Sequence, residues 1–410
     1  MCCNGVIWSP PGIRQAEPPL LNREAMDWQG KKIILVARTS WSLFNFRAGL
    51  MRALAARGAT VVGGGVGGDI YENRIRALGV RFENLQIDQG GTNPLSDLRL
   101  LYSFYRWYKA EAPDVVHHFT IKPVIYGSIA AYLAGVPNII NTITGLGYVY
   151  SKRGGLLRRI VEGLYRVALR CATHVFFQNE DDRQLFVSFR IVSAKKTSVV
   201  PGSGVDLERF RDDHADQRVG SPGVVVLIVA RLLKEKGIGE FVDAARLLRP
   251  RLGNAAFRIL GGIDASNPAA VKQEELDGWL REGVVDWLGH AEDVRPALRT
   301  ADIVVLPSYY PEGTPRSLLE AAAMGKVIVT TDTVGCRNVV EHRVTGILVP
   351  PRDARQLAQA IFELATSAEL RARMGAAGRR KMETEFDERI VIEKTLGAYA
   401  VRLADAASRS

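Results

Sequence analysis

The stretch Ile303–Asp332, IVVLPSYYPEGTPRSLLEAAAMGKVIVTTD, reads as strand, turn, helix and strand in succession. An apolar run ends at Pro307, a turn carries Glu312 and Gly313, and a helical segment runs to Gly325. Thr314 suits the N-cap, Pro315 the first helical position, and Gly325 the residue just past the end. The first amides of such a helix have no intrahelical partner and face an anion-sized space. Glu320 falls about five residues into the helix, about 7.5 Å up its axis at the α-helical rise. That is the reach from a diphosphate to a ribose. The unit therefore offers amides to a diphosphate, Glu320 to ribose hydroxyls, and Glu312, on the turn, to a sugar beyond the phosphates.

A glutamate pair alone is weak evidence, and its weight comes from a second strand-to-helix turn. In Ile228–Gly237, IVARLLKEKG, the apolar run Val224–Ala230 leads into Arg231 and then Lys236, just ahead of a helix carrying Ile238, Phe241, Val242 and Leu247. Two cations at a strand end suit phosphate oxygens, to which charge-assisted hydrogen bonds are strong.

With these two motifs the chain resembles the family-four retaining glycosyltransferases of GT-B architecture, and the likeness covers about residues 31 to 400. It extends through VARTSWSLFNFRAGL, PDVVHHFTIKPVIYGSIAAYLAGVP, NTITGLGYVY, FFQNEDDRQLF, ILGGIDASNPAAV, WLGHAEDV and TGILVPPRD. These segments are similar to the bacterial branch that builds capsule, O-antigen and exopolysaccharide repeat units. The resemblance implies transfer of an N-acetylhexosamine or related sugar from a UDP donor to an undecaprenyl-diphosphate-linked acceptor. It implies an α/β fold of two doubly wound Rossmann-like domains facing a central cleft.

The resemblance also distributes roles. Arg231 and Lys236 fall to the donor diphosphate, with the backbone of Gly313, Thr314, Pro315 and Arg316. Glu320 falls to the ribose and Glu312 to the donor sugar. Glu312, His117, Lys236 and Arg231 are the expected catalytic set. The acceptor belongs to the N-terminal domain, where His117 and His118 are read at a strand end ahead of Lys122. Asn45 and Arg47 are further candidates for acceptor or phosphate contact, and Thr144, Gly145 and Gly147 for lining the cleft. The chain departs from the family pattern in two places. Phe119 stands where relatives often carry a second histidine, and Ser40, Trp41 and Ser42 replace paired glycines in the first strand–helix loop. No D-x-D triplet occurs, so no divalent metal and no cofactor are expected, the UDP-sugar being a substrate. In retaining transfer of this kind the departing phosphate oxygen takes the acceptor proton, and the protein positions the reactants and stabilises charge on the diphosphate.

Length, charge and cysteine usage fit this picture. The 410 residues suffice for two domains of ordinary size, and no apolar run approaches the ~20 residues of a membrane helix. Cys2, Cys3, Cys171 and Cys336 form no disulfide framework or metal-ligand spacing, which points to a reducing cytoplasm. The net charge of +10 belongs wholly to the N-terminal half: residues 1–210 hold 26 Lys and Arg against 16 Asp and Glu. There LRLLYSFYRWYK (Leu98–Lys109) and SKRGGLLRRIVEGLYRVALR (Ser151–Arg170) mix basic residues with apolar bulk. Such segments suit an anionic membrane surface, so peripheral attachment to the inner face of the plasma membrane is expected. Nucleic acid is not expected, because no recognised binding module is present.

Along the chain, residues 1–30 read as a disordered or misassigned extension, with Met26 an alternative start. Residues 31–210 read as the acceptor-binding domain, 211–223 as a linker and 224–387 as the nucleotide-sugar domain. Residues 388–410 read as a helix returning to the first domain. Short buried strands are predicted at 32–37, 60–63, 81–86, 114–117, 138–142, 174–178 and 197–200. A second series follows at 224–230, 257–260, 284–288, 303–307, 326–331 and 346–349. Gly63, Gly65 and Gly68 mimic a dinucleotide fingerprint, with Asp88 twenty residues on, but they follow the second strand rather than the first, so a flexible glycine-rich turn is expected. An NAD oxidoreductase would rest on those glycines alone. Two more functions compete on the same architecture: a UDP-sugar 2-epimerase, and a non-catalytic subunit of a polysaccharide assembly complex. The basic, aromatic first half disfavours the epimerase. The presence of Arg231, Lys236, Glu312 and Glu320 together disfavours the subunit.

Overall fold

The computed structural model describes residues 26–88, 93–145, 155–212, 223–264 and 267–408. In the first unit, β1 (Lys32–Thr39), β2 (Thr60–Val66), β3 (Arg81–Asn84), β4 (Val115–Phe119), β5 (Asn138–Ile143), β6 (His174–Phe177) and β7 (Thr197–Val199) form one parallel sheet. Its order is β3-β2-β1-β4-β5-β6-β7. The second unit holds β8 (Val225–Val229), β9 (Ala256–Leu260), β10 (Asp286–Trp287), β11 (Ile303–Leu306), β12 (Val327–Thr331) and β13 (Gly346–Val349). They too are all parallel, in the order β10-β9-β8-β11-β12-β13.

Helices cover the sheets. The first unit has α1 (Ser40–Ala56), α2 (Ile70–Arg76), α3 (Pro94–Glu111), α4 (Ser128–Ala134), α5 (Leu156–Cys171) and α6 (Glu180–Ser188). The second has α7 (Ile238–Leu248), α8 (Gln273–Arg281), α9 (Arg295–Thr300), α10 (Arg316–Ala323), α11 (Val334–Val339), α12 (Ala354–Ala365) and α13 (Ala368–Lys381). The chain ends on α14 (Glu388–Ala407). Strand order reverses between β1 and β4 and again between β8 and β11, the points where doubly wound sheets open crevices for ligands.

The strands read as unbroken apolar runs because both of their faces are buried. In β8, Val226 and Ile228 enter one core with Phe241 and Phe257, while Leu227 between them enters another with Leu318 and Leu319. The glycine run is a correction. Gly63, Gly64 and Gly65 lie inside β2 rather than in a turn. A Cβ on Gly63 would stand 2.8 Å from Leu43, and one on Gly64 would stand 2.5 Å from Trp107. The glycines are there so that α1 and α3 can pack close to the sheet.

Two chain segments connect the units, and they pair with each other. Val205 N–H donates to Phe386 O at 2.8 Å, and Glu388 N–H donates to Val205 O at 3.0 Å. After that crossing α14 packs into the first unit's core, where Val391, Leu396, Tyr399 and Leu403 are buried with Ile33, Leu43 and Phe119. Residues 1–25 of the predicted extension and 213–222 of the predicted linker lie outside the described residues. Among the described residues no helix is long and apolar enough to cross a membrane.

Candidate functional site

The turn between β11 and α10 is held by its neighbours in the same sheet. Gly237 ends the short helical turn Lys234–Lys236 at φ +77°, a backbone conformation glycine adopts freely. Its bare Cα lies against Pro307 O, with no room for a side chain. Tyr309 N–H donates to Glu235 O at 3.0 Å, and Ser308 Oγ lies 3.3 Å from the same carbonyl. This stitching sets Lys236 beside Glu312: Lys236 Nζ lies 2.7 Å from Glu312 Oε1, which also accepts from Ser308 Oγ at 2.7 Å. Both charged side chains are only 14 % exposed. Lys236 Nζ also sits 5.4 Å from the centre of the Tyr310 ring.

Helix α10 starts one residue later than the sequence suggests. Its N-cap is Pro315 and its first residue Arg316, in place of the expected cap at Thr314. Thr314 is turned to the other unit: its Oγ1 donates to Gln178 O at 3.5 Å instead of capping the helix, and its N–H, expected to face a diphosphate, donates to Gln178 Oε1 at 3.1 Å. Leu318 N–H opens the ladder by donating to Pro315 O. The amides of Arg316 and Ser317 therefore stay outside it, as expected at a helix start. Glu320, one turn along, pairs with Arg316 Nε at 2.8 Å. Burial pushes its carboxyl above the usual range, and the Arg316 charge pulls the other way. Arg316 also donates to Asn45 O and stands 5.3 Å from the Phe46 ring, so α10 touches the first unit's α1.

Arg231 is half exposed and pairs with Asp264 Oδ2 at 3.2 Å. Arg38, at the end of β1, faces it from the first unit. The Arg38 pKa is lowered first by burial and then by the like charge of Arg231, with Asp264 and Tyr310 acting in the opposite sense. Arg38 adds a cation from the first unit beside Arg231, and sequence reasoning gave it no role.

The first unit's candidates are placed less simply. His117 and His118 sit within β4, not at its end, and both are buried. His117 bonds through Nδ1 to Tyr399 OH at 2.6 Å and through Nε2 to Thr142 Oγ1 at 2.7 Å. Burial, then the Arg47 charge, holds its pKa well below the usual histidine value, so the ring is neutral at pH 7. His118 points to the opposite side of the sheet, where Tyr108 OH lies 2.9 Å from Nε2 and Asn141 Oδ1 lies 3.1 Å from Nδ1. Burial lowers its pKa to about 3. Both of its ring nitrogens are engaged inside the α3-side core, so the expected acceptor contact from His118 is corrected to a packing role.

Lys122 is likewise engaged, pairing with Asp97 on α3 at 2.9 Å, and Tyr126 OH donates to the same carboxylate at 2.7 Å. The Asn45 side chain donates to Trp41 O at 3.0 Å. Arg47 is buried against the Phe119 ring at 4.2 Å, and burial lowers its pKa to about 10. Arg47, His117, Thr142, Ser203 and Glu388 line a cavity of about 20 Å³, room for a single water molecule. Thr144 and Gly145 do reach the cleft, where they lie against Gly313. Gly147 lies outside the described residues.

Sequence reasoning also gave no role to Gln178 and Asn179, which follow β6 directly. Their position at the carboxyl end of a parallel strand was the available signal. Asp182, one turn on, accepts from Asn179 Nδ2 at 2.9 Å, and burial lifts its carboxyl to about 6. Among the described residues no three His, Cys, Asp or Glu side chains converge as metal ligands.

Comparison with known proteins gives matches to both units. The family profile described as "Glycosyl transferases group 1" matches residues 223–367, and that described as "Glycosyl transferase 4-like domain" matches residues 46–202. The chain is 27 % identical over 380 residues to the N,N'-diacetylbacillosaminyl-diphospho-undecaprenol alpha-1,3-N-acetylgalactosaminyltransferase of Campylobacter jejuni. That match spans 90 % of this chain and 98 % of the relative. An Escherichia coli UDP-Gal:alpha-D-GlcNAc-diphosphoundecaprenol alpha-1,3-galactosyltransferase is 28 % identical, over 66 % of this chain and 71 % of its own length. Among solved structures, a glycosyltransferase from Rickettsia africae superposes with a TM-score of 0.73 at 19 % identity, over 91 % of this chain and 98 % of its own. Anabaena HepE, solved in complex with UDP, superposes with a TM-score of 0.71 at 19 % identity, over 90 % and 98 %. At these identities the superpositions speak for the shared two-domain fold.

Proposed function

This chain belongs to the group 1 glycosyltransferases, and from that premise we propose that it moves an N-acetylhexosamine or related sugar from a UDP donor to a saccharide carried on undecaprenyl diphosphate. The product would enter a cell-surface polysaccharide. We read the transfer as retaining and independent of a divalent metal. The Campylobacter and Escherichia relatives act on diphospho-undecaprenol-linked sugars, which supports the acceptor class. One observation carries the site assignment: Lys236, Glu312 and the start of α10 converge on one turn at the strand-order reversal of the second sheet.

In this reading Lys236 and Arg231 lie along the donor diphosphate, with the Arg316 and Ser317 amides at its far side. Glu320 takes the ribose hydroxyls and Glu312 the donor sugar. The bond from C1 to the β-phosphate oxygen breaks, and its electron pair leaves with UDP. The acceptor hydroxyl oxygen bonds to C1 on the same face, and its proton passes to the departing phosphate oxygen. Lys236 and the helix start stabilise the charge that develops there. His117, expected in the catalytic set, is buried with both ring nitrogens held by Tyr399 and Thr142, so this reading gives it a structural role and no proton transfer.

The acceptor is lipid-linked, and the first unit carries a surface suited to a membrane. Large apolar side chains are exposed on three neighbouring helices: Leu95, Leu98 and Tyr102 on α3, Tyr132 and Leu133 on α4, and Leu156, Leu157, Ile160 and Val167 on α5. Exposed Arg99, Arg106, Lys109, Arg159 and Arg170 lie on the same helices. We read this face as a peripheral contact with the anionic inner leaflet of the plasma membrane.

The function is tested by UDP and GDP release from a panel of nucleotide sugars, with and without a short-chain prenyl-diphosphate saccharide and in the presence of EDTA. Release from a UDP-N-acetylhexosamine should rise at least tenfold on adding the acceptor and be unaffected by EDTA. Turnover of GDP-sugars alone, or loss of turnover in EDTA, would refute the donor or the metal part of the proposal.

A further inference from the structure

The turn that carries Glu312 belongs to the second unit, yet the first unit grips it from three strand ends. After β6, Gln178 Oε1 accepts from Thr314 N–H at 3.1 Å, and Asn179 Nδ2 reaches Gly313 O at 3.4 Å. Asn179 is itself held, since its Nδ2 donates to Asp182 at 2.9 Å and its Oδ1 accepts from Asp182 N–H at 2.7 Å. Asn179 and Asp182 are buried, and Gln178 is 9 % exposed.

Glycines mark the same contact from both sides. A Cβ on Gly145, after β5, would stand 2.6 Å from Gly313 N. One on Gly202, after β7, would stand 2.8 Å from Thr314 Cβ. On the turn itself, a Cβ on Gly313 would run into Gln178 Oε1 and stand 2.8 Å from Thr144 O. From the second unit, a Cβ on Gly335 would stand 2.6 Å from Gly313 O. Separations this short leave no space for a side chain at any of the four positions. Gly313 is buried at the centre of this contact, with Glu312 and Thr314 partly exposed on either side, and a hydrogen-bonded amide at such a contact is costly to leave unpaired.

We propose that Gln178 and Asn179 are positioning residues that clamp the Glu312–Thr314 turn from the acceptor-side unit, so that the carboxylate assigned to the donor sugar is aligned only when the two units are closed on each other. Neither touches the reacting atoms. Their effect runs through Glu312, whose Oε1 is fixed from the other side by Lys236 and Ser308. Of the residues assigned to the nucleotide, Arg231, Arg316 and Glu320 lie outside the clamp, and Lys236 meets the turn only through Glu312. Misalignment of a reacting group by about 1 Å can cost about 10²-fold in rate, while binding of the nucleotide is left intact. The proposal rests on the donor-site reading above.

The test uses the full chain with Gln178→Ala and Asn179→Ser. Serine keeps the N-cap of α6 but removes the amide that reaches Gly313, so this variant is expected to fold. Transfer kinetics are measured with UDP-N-acetylhexosamine and a prenyl-diphosphate acceptor, and UDP binding by calorimetry. Each variant should lose about tenfold in kcat, with the UDP Kd and the donor KM within about threefold of the parent. Unchanged kcat in both variants overturns the clamp. So does a loss of UDP affinity in step with kcat, which would make these residues part of the nucleotide site. A parent chain that transfers no sugar from any donor would instead count against the donor-site reading itself.

Discussion

Lys236→Ala is expected to lower kcat for sugar transfer by about 10²–10³-fold, the loss seen when one preorganised donor to a developing negative charge is removed. Lys236 is the cation nearest the carboxylate assigned to the donor sugar, at 2.7 Å. Its removal also leaves Glu312 largely buried without its partner, and breaking a buried ion pair from one side costs about 3–5 kcal/mol. With 14 % exposure on both side chains, solvent relieves some of that cost, so a stability loss of about 2 kcal/mol is the more reasonable expectation. The two effects separate in a double variant. Lys236→Met with Glu312→Gln removes both charges, and it should regain most of the denaturation midpoint lost in Lys236→Met alone. Its kcat should stay at least 10²-fold down. Recovery of activity together with stability would mean that the pair only holds the turn in shape.

The second large effect concerns the membrane. Changing Arg99, Lys109, Arg159 and Arg170 together to glutamine should cut partitioning to phosphatidylserine-containing vesicles by about 10³-fold. Each basic residue at such a surface is worth about 1 kcal/mol, and 1.4 kcal/mol is a factor of ten. All four are exposed, and they flank the exposed apolar residues of α3 and α5. Turnover of a short-chain, water-soluble acceptor should stay within about twofold of the parent, because none of the four lies at the cleft turn. Vesicle binding unchanged by the four substitutions, or equal on neutral phosphatidylcholine, would show that this face is not the membrane contact.

Much of the fold was legible in the sequence because both sheets are buried on both faces. Runs such as Val225–Val229 and Ile303–Leu306 feed two cores through alternate residues, so neither face needs polar positions to interrupt the pattern. The grouping of Arg231, Lys236, Glu312 and Glu320 was legible for a related reason. They sit on the two strand–helix units that meet at the second sheet's order reversal, and each unit carries its own local turn signal.

What the sequence did not disclose depends on partners far along the chain. His117 is occupied by Tyr399, which lies 282 residues away, and His118 by Tyr108 and Asn141. Thr314 does not cap α10 because Gln178, 136 residues earlier, engages both its hydroxyl and its amide. The run Gly63–Gly65 is strand rather than turn because Leu43 and Trp107 press on it, a tertiary demand for small residues that looks like flexibility in one dimension. Arg38 and Gln178 both sit at the carboxyl ends of strands of the first sheet, a place where functional side chains collect whatever the local motif.

The most direct test of the central claim is the mass of the acceptor. A short-chain prenyl-diphosphate N-acetylhexosamine is incubated with UDP-N-acetylhexosamine and the full chain in EDTA, then analysed by mass spectrometry. The acceptor should gain one N-acetylhexosamine residue with the parent chain and show no detectable gain, over the same time, with Lys236→Ala. UDP release without any gain in acceptor mass, or an equal gain with the variant, would contradict it.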